Sequence, residues 1–156
     1  KCLQDGRKNA GFLRTQIERI DNYFGQNEVS EIWLTFPDPQ LRFSRFKKRL
    51  THPRFLRLYQ KFLTPDGYIH LKTDSPVLYT FTKKVIELYQ CTLVEDCDNV
   101  YAKSDAPELK IKTYYEGLDI AKSNTIFYLK FRLAAVLPES LDEMLKQEMQ
   151  LIEKND

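Results

Sequence analysis

Glycine is scarce in this chain: Gly6, Gly11, Gly25, Gly67 and Gly117 are all there is, and no phosphate-cradling loop or nucleophile motif accompanies them. Histidine is scarcer still, with His52 and His70 lacking a second ligand at metal spacing, so no metal site is expected. Three cysteines, Cys2, Cys91 and Cys97, form an odd set without metal or redox spacing, and read as plain thiols. Long apolar runs are missing, and the opening Lys1-Cys2-Leu3-Gln4-Asp5-Gly6 has no apolar core of a signal peptide, which makes a cytoplasmic protein without membrane attachment the expectation. No internal repeat is visible. What remains, 156 residues with 42% hydrophobic and 29% charged, can bury an ordinary core as one α/β domain.

The most informative absence is local. From Pro39 to Pro65 there is no acid, while eight basic residues occur: Arg42, Arg45, Lys47, Lys48, Arg49, Arg54, Arg57 and Lys61. The overall net charge is only +2, so the rest of the chain carries −6. A positive segment on an acidic body suits a polyanion bound at one face. A solvated helix face is the alternative.

Periodicity predicts a short strand over Gly11–Thr15 and a helix over Gln16–Phe24. Glu31–Phe36 is strand-like and stops at Pro37-Asp38-Pro39, whose prolines cannot continue a central ladder. Pro53 opens a helix with apolar positions at Phe55, Leu56, Leu58, Tyr59, Phe62 and Leu63, ending near Thr64-Pro65-Asp66-Gly67. Tyr68–Thr73 and Val77–Tyr89 follow as strand and helix, then a strand Thr92–Glu95, an irregular polar stretch Asp98–Lys112 and an alternating strand Thr125–Leu133. Beyond Pro138, Ser140-Leu141-Asp142-Glu143 reads as a capping box for a helix with Leu141, Leu145, Met149 and Ile152 on one side. The order implies an open α/β sheet, parallel at first, closed by a hairpin-like pair.

In such sheets ligands bind beyond the carboxyl ends of the strands, where this chain places Asp38 and Asp74. Asp74, ahead of Ser75-Pro76, could equally be a helix N-cap. Asp38 is flanked by prolines that remove the nearest amides it might cap, which favours a functional role. His52 is expected at the start of the helix at Pro53, and His70 inside a strand.

Three separated motifs then carry a family resemblance. Trp33-Leu34-Thr35-Phe36-Pro37-Asp38-Pro39 with the following Lys47-Lys48-Arg49-Leu50, Thr73-Asp74, and Thr113-Tyr114-Tyr115-Glu116 together resemble the bacterial tRNA (guanine-N7)-methyltransferases. The resemblance implies a Rossmann-like class I methyltransferase sheet, mostly parallel with an antiparallel C-terminal strand. It further implies S-adenosyl-L-methionine as cofactor and tRNA as partner, with methyl transfer to N7 of a variable-loop guanine. It implies Asp38 as the catalytic residue, with Gln16 and Asp38 at the cofactor. Arg42, Asp74, Thr113 and Glu116 fall to the guanosine site, and Arg45, Lys47, Lys48 and Arg49 to the RNA-contacting segment. The family's glycine-rich loop and the acid ending its second strand have no counterpart, so residues 1–137 match the C-terminal portion of such a domain, lacking its N-terminal strands, and 138–156 a helical extension. Gln40 stands where the family has tryptophan, Arg42 where it has lysine and Arg45 where it has histidine, and its arginine past the T-x-x-E motif is replaced at Gly117-Leu118.

The chemistry agrees. N7 of guanine has an in-plane lone pair and is unprotonated at neutral pH, so no general base is required. The protein must align the reacting atoms and offset the positive charge that moves onto the purine. A carboxylate, ionised at neutral pH, suits that task. Two other readings stay open: a non-catalytic RNA-binding fragment using the basic run and its interleaved Phe43, Phe46 and Phe55, and a Mg²⁺-dependent phosphotransferase or hydrolase using Asp38 and Asp74. Monomer and homodimer are both compatible with the sequence.

Overall fold

The computed structural model of the chain describes residues 6, 8–113 and 125–155. Its centre is a four-stranded sheet built from β1 (Val29–Thr35), β2 (Leu63–Thr73), β3 (Thr92–Cys97) and β4 (Phe127–Arg132), in the order β1-β2-β4-β3. β1 and β2 are parallel, and β4 inserts antiparallel between β2 and β3. This is a mixed α/β sheet consistent with a class I methyltransferase fold.

Strand register separates two faces by the period of two. Leu34, Leu71 and Leu129 lie side by side across β1, β2 and β4, as do Ile32, Ile69 and Phe131. These residues join α1 (Pro53–Tyr59), α2 (Pro76–Leu88) and the C-terminal helix in one core that includes Phe55, Leu56, Tyr59, Leu78, Phe81, Val85, Leu145 and Met149. The opposite face carries Trp33, His70 and Lys130 in register, with the Trp33 and His70 rings stacked at 4.0 Å. Further along that face a second small cluster, Cys97, Val100, Leu109, Ile126 and Tyr128, is closed by α3 (Val100–Lys103) and a 3-10 turn Pro107–Lys110.

Several expected elements differ. No strand forms over residues 11–15, and Gln16–Phe24 holds a 3-10 helix, Ile17–Asn22, in place of an α-helix. The 3-10 helix is tied to α1 by Arg54 to Glu18 and to the turn after α1 by Lys61 to Asp21. α1 ends at Tyr59, and β2 begins earlier than expected, at Leu63, running through Pro65-Asp66-Gly67 as a bulge against Val29–Glu31. Gly67 is required there, because a Cβ would come within 2.7 Å of the Leu63 side chain. The stretch from Asp98 to Lys112 is less irregular than its polarity suggests: Asn99 caps α3, and Val100 and Leu109 are buried. Cys91 and Cys97 are free, buried thiols.

The C-terminal helix, α4 (Asp142–Asn155), starts after a 3-10 turn Glu139–Leu141, so Ser140 does not cap it. Asp142 is held by two bonds from Arg57, at 2.5 and 3.1 Å, and one from the Tyr89 hydroxyl at 2.6 Å. Arg57 also donates to the carbonyls of Leu137 and Pro138. The expected apolar side docks as foreseen, with Leu145 and Met149 buried and Leu141 and Ile152 packed at the margin. Among the described residues, no helix is long and apolar enough to cross a membrane.

Candidate active site and nucleic-acid interface

Because β1 and β2 are parallel neighbours, with Thr35 opposite Lys72, the loops that leave their carboxyl ends emerge side by side. Asp38 sits on the first and Asp74 on the second. The turn out of β1 is sharp: Phe36 takes a left-handed φ of 50°, and its N–H donates to the Lys72 carbonyl at 2.8 Å. The flanking prolines do not leave Asp38 without an amide, contrary to expectation. Its Oδ1 reaches across Pro39 and accepts the Gln40 N–H at 2.9 Å, while the side chain stays exposed. Asp74 is not the cap of α2. Ser75 fills that position, its Oγ accepting the Leu78 N–H, and Thr73 Oγ1 accepts the Ser75 N–H. Asp74 itself is half-buried.

Lys72, not anticipated from sequence, is a buried cation at this junction. It donates from Nζ to the Ile111 carbonyl at 3.0 Å and lies 5.6 Å from the ring centres of Phe36 and Tyr101. This bond brings the segment leading to Thr113 against the carboxyl end of β2. Its only sequence cue was a lysine within an otherwise strand-like Tyr68–Thr73. Thr113 is half-buried. Glu116 lies outside the described residues. Gln16 is exposed at the head of the 3-10 helix Ile17–Asn22, not at a strand end.

The basic run divides in two. Phe46 is buried, its ring against Phe43 at 5.2 Å and His52 at 5.1 Å, which pins the 3-10 turn Phe43–Lys48 to the core. The exposed side of this segment carries Arg42, Arg45, Lys47 and Lys48, none of which forms an ion pair among the described residues. The segment continues directly from the Asp38 loop. Arg49 is different: its side chain is fully buried and ion-paired to Glu153 at 2.6 Å, so it is withdrawn from the RNA-facing set. Arg54, Arg57 and Lys61 likewise have carboxylate partners. Phe46 and Phe55 are core residues and present no ring for base stacking.

Both histidines are structural. His52 caps α1, its Nδ1 accepting the Arg54 N–H, and burial pushes its pKa down to about 4. His70 bonds the Tyr128 hydroxyl at 2.8 Å and is also shifted downward by burial. The depressed His52 value has a sign: between about 4 and 6.5 the unfolded chain binds the proton that the folded chain refuses. Stability contributed by neutral His52 is full above pH 6.5 and lost as pH falls through about 4, a total of roughly 3 kcal/mol. Urea unfolding from pH 4 to 7 is expected to show this slope in the parent and a flatter one in His52→Asn, which keeps an N-cap acceptor. Parallel slopes would mean His52 does not titrate on unfolding.

A cavity of about 580 Å³ opens elsewhere, beside α2, lined by residues including Tyr79, Lys83, Asp96, Asp98 and Lys103. Two of its acids are paired, Asp96 with Lys83 and Asp98 with Lys103.

The parallel strand ends thus bring two carboxylate loops side by side, next to an exposed basic segment. A family model described as "Putative methyltransferase" matches residues 1–129, and the chain belongs to this methyltransferase family. It is 49% identical over 135 residues to the tRNA (guanine-N(7)-)-methyltransferase of Porphyromonas gingivalis, covering 85% of this chain and 54% of that protein. The like-named protein of Bacteroides thetaiotaomicron is 48% identical, with 85% and 52% covered, and that of Christiangramia forsetii 38%, with 85% and 60%. The chain thus spans about half the length of the curated relatives it matches.

Proposed function

We propose that this chain forms the substrate-facing part of a tRNA (guanine-N7)-methyltransferase, which transfers a methyl group from S-adenosyl-L-methionine to N7 of a variable-loop guanine in the cytoplasm. The observation that carries it is the placement of Asp38 and Asp74 at adjacent parallel strand ends, with the exposed cations Arg42, Arg45, Lys47 and Lys48 running on from Asp38. The side chains suit the cofactor's chemistry: an exposed carboxylate complements a cationic sulfonium and ammonium, and an amide carbonyl at Gln16 suits an exocyclic amine. The cofactor, when bound, supplies an electrophilic methyl group. Asp38 offsets charge developing on the purine and accepts its N–H groups. Asp74, Thr113 and Glu116 orient the guanine so that N7 faces the methyl. The exposed cations neutralise phosphates and set the RNA's register.

The binding-only reading is weakened by burial of two of its three aromatics, Phe46 and Phe55. Incubation of the full-length protein with tRNA and S-adenosyl-L-methionine, followed by nucleoside mass analysis, is expected to yield N7-methylguanosine at the variable loop. RNA binding without any methylated nucleoside would leave only the binding module.

A further inference from the structure

The acid-free run finds counter-charges in α4, a helix beyond the residues matched by the family model. Arg57 grips its start through Asp142, and Arg49 meets its last turn through Glu153. Arg49 does more than pair. Its guanidinium, buried over the Phe81 ring at 4.8 Å, gives Nη1 to Glu153 at 2.6 Å, Nε to the Pro39 carbonyl at 3.1 Å and Nη2 to the Gln40 carbonyl at 3.3 Å. One planar fork therefore ties two carbonyls of the Asp38 loop to a carboxylate 104 positions later in the chain.

The loop has need of such support. Gln40 holds a left-handed φ of 49°, a conformation that persists in a non-glycine residue where surroundings over-determine it. Here the Gln40 N–H is taken by Asp38 and its carbonyl by Arg49. A buried guanidinium keeps these bonds only while its charge is neutralised, because an unpaired buried charge moves toward water or disrupts its surroundings.

We propose that Arg49 and Glu153 are positioning residues for Asp38, and that α4 is a strut whose docking fixes the Asp38 loop in its working geometry. The effect on methyl transfer rests on the function proposed above; the effect on the loop does not. The test uses Glu153→Gln, which keeps shape and removes charge, and Glu153→Ala, both in the full-length protein. Amide hydrogen exchange at Gln40 is expected to accelerate by at least roughly tenfold, with Ile69 and Leu71 in β2 unchanged. Single-turnover methyl transfer should slow by roughly tenfold at unchanged tRNA affinity, as misplacement of a reacting group requires. Glu153→Asp, which restores charge, should recover part of both. Parental Gln40 exchange in both the Gln and Ala variants overturns the strut. A loosened loop with unaltered transfer overturns the positioning role. A parent that binds tRNA but never methylates it defeats the proposed function, while Gln40 exchange still decides the strut.

Discussion

Replacing Asp38 by Asn in the full-length protein is expected to slow methyl transfer by a factor on the order of 10² or more, the effect of losing one preorganised electrostatic group. The substitution isolates charge. Asn retains an oxygen that can accept the Gln40 N–H, so the turn across Pro39 keeps its closing bond. Under the proposed function, the lost quantity is the negative charge opposite a purine that becomes cationic as the methyl arrives. Affinity for tRNA should hardly change, because Arg42, Arg45, Lys47 and Lys48 are untouched. Raising the pH should not restore the rate, since no proton acceptor has been removed. Single-turnover methylation with tRNA binding measured in parallel decides the matter. Near-parental transfer would show that Asp38 only shapes its loop, and the electrostatic role would pass to Glu116.

The combined variant Arg45→Ala, Lys47→Ala, Lys48→Ala is expected to act in the opposite way, on affinity and not on the transfer step. Each phosphate contact contributes roughly 0.7 to 0.9 to the slope of log affinity against log salt, so three lost contacts flatten it by up to roughly 2 to 3. These three side chains are exposed, and the fold has no carboxylate paired to them among the described residues. Arg49 is left intact by design: its removal would disturb Pro39 and Gln40 and confound binding with loop geometry. Filter binding of tRNA across a salt series is the measurement. An unchanged slope would remove the segment from the RNA interface.

How far the sequence was legible depends on whether the deciding interaction was local. β1, the Tyr68–Thr73 part of β2, and α2 were readable because alternation, a 3.6-residue period and nearby prolines act within a few residues, whereas Leu63–Gly67 read as a helix end. The carboxyl-end placement of Asp38 and Asp74 followed from the same signals. Residues 11–15 illustrate the limit: strand-like composition produces no strand without a neighbour to accept its hydrogen bonds. Arg49 could not be told from Lys47 and Lys48 in a charge run, because what distinguishes it is Glu153 on a distant helix. Lys72 was hidden by alternation itself. It shares a sheet face with His70, and that face is covered near Lys72 by the segment Val100–Lys110, whose packing depends on Val100 and Leu109 and not on any strong periodic pattern.

The position of β4 also governs how the chain can reach this fold. Among the described residues β3 pairs with β4 alone, and β4 lies between it and β2. A nascent chain that has emerged through Cys97 can therefore pair β1 with β2 but must hold β3 unpaired until residues 127–132 arrive to bridge the gap. Sheet completion is a late, non-local event that joins segments some sixty residues apart, of the kind that slows folding and prolongs exposure of open strand edges.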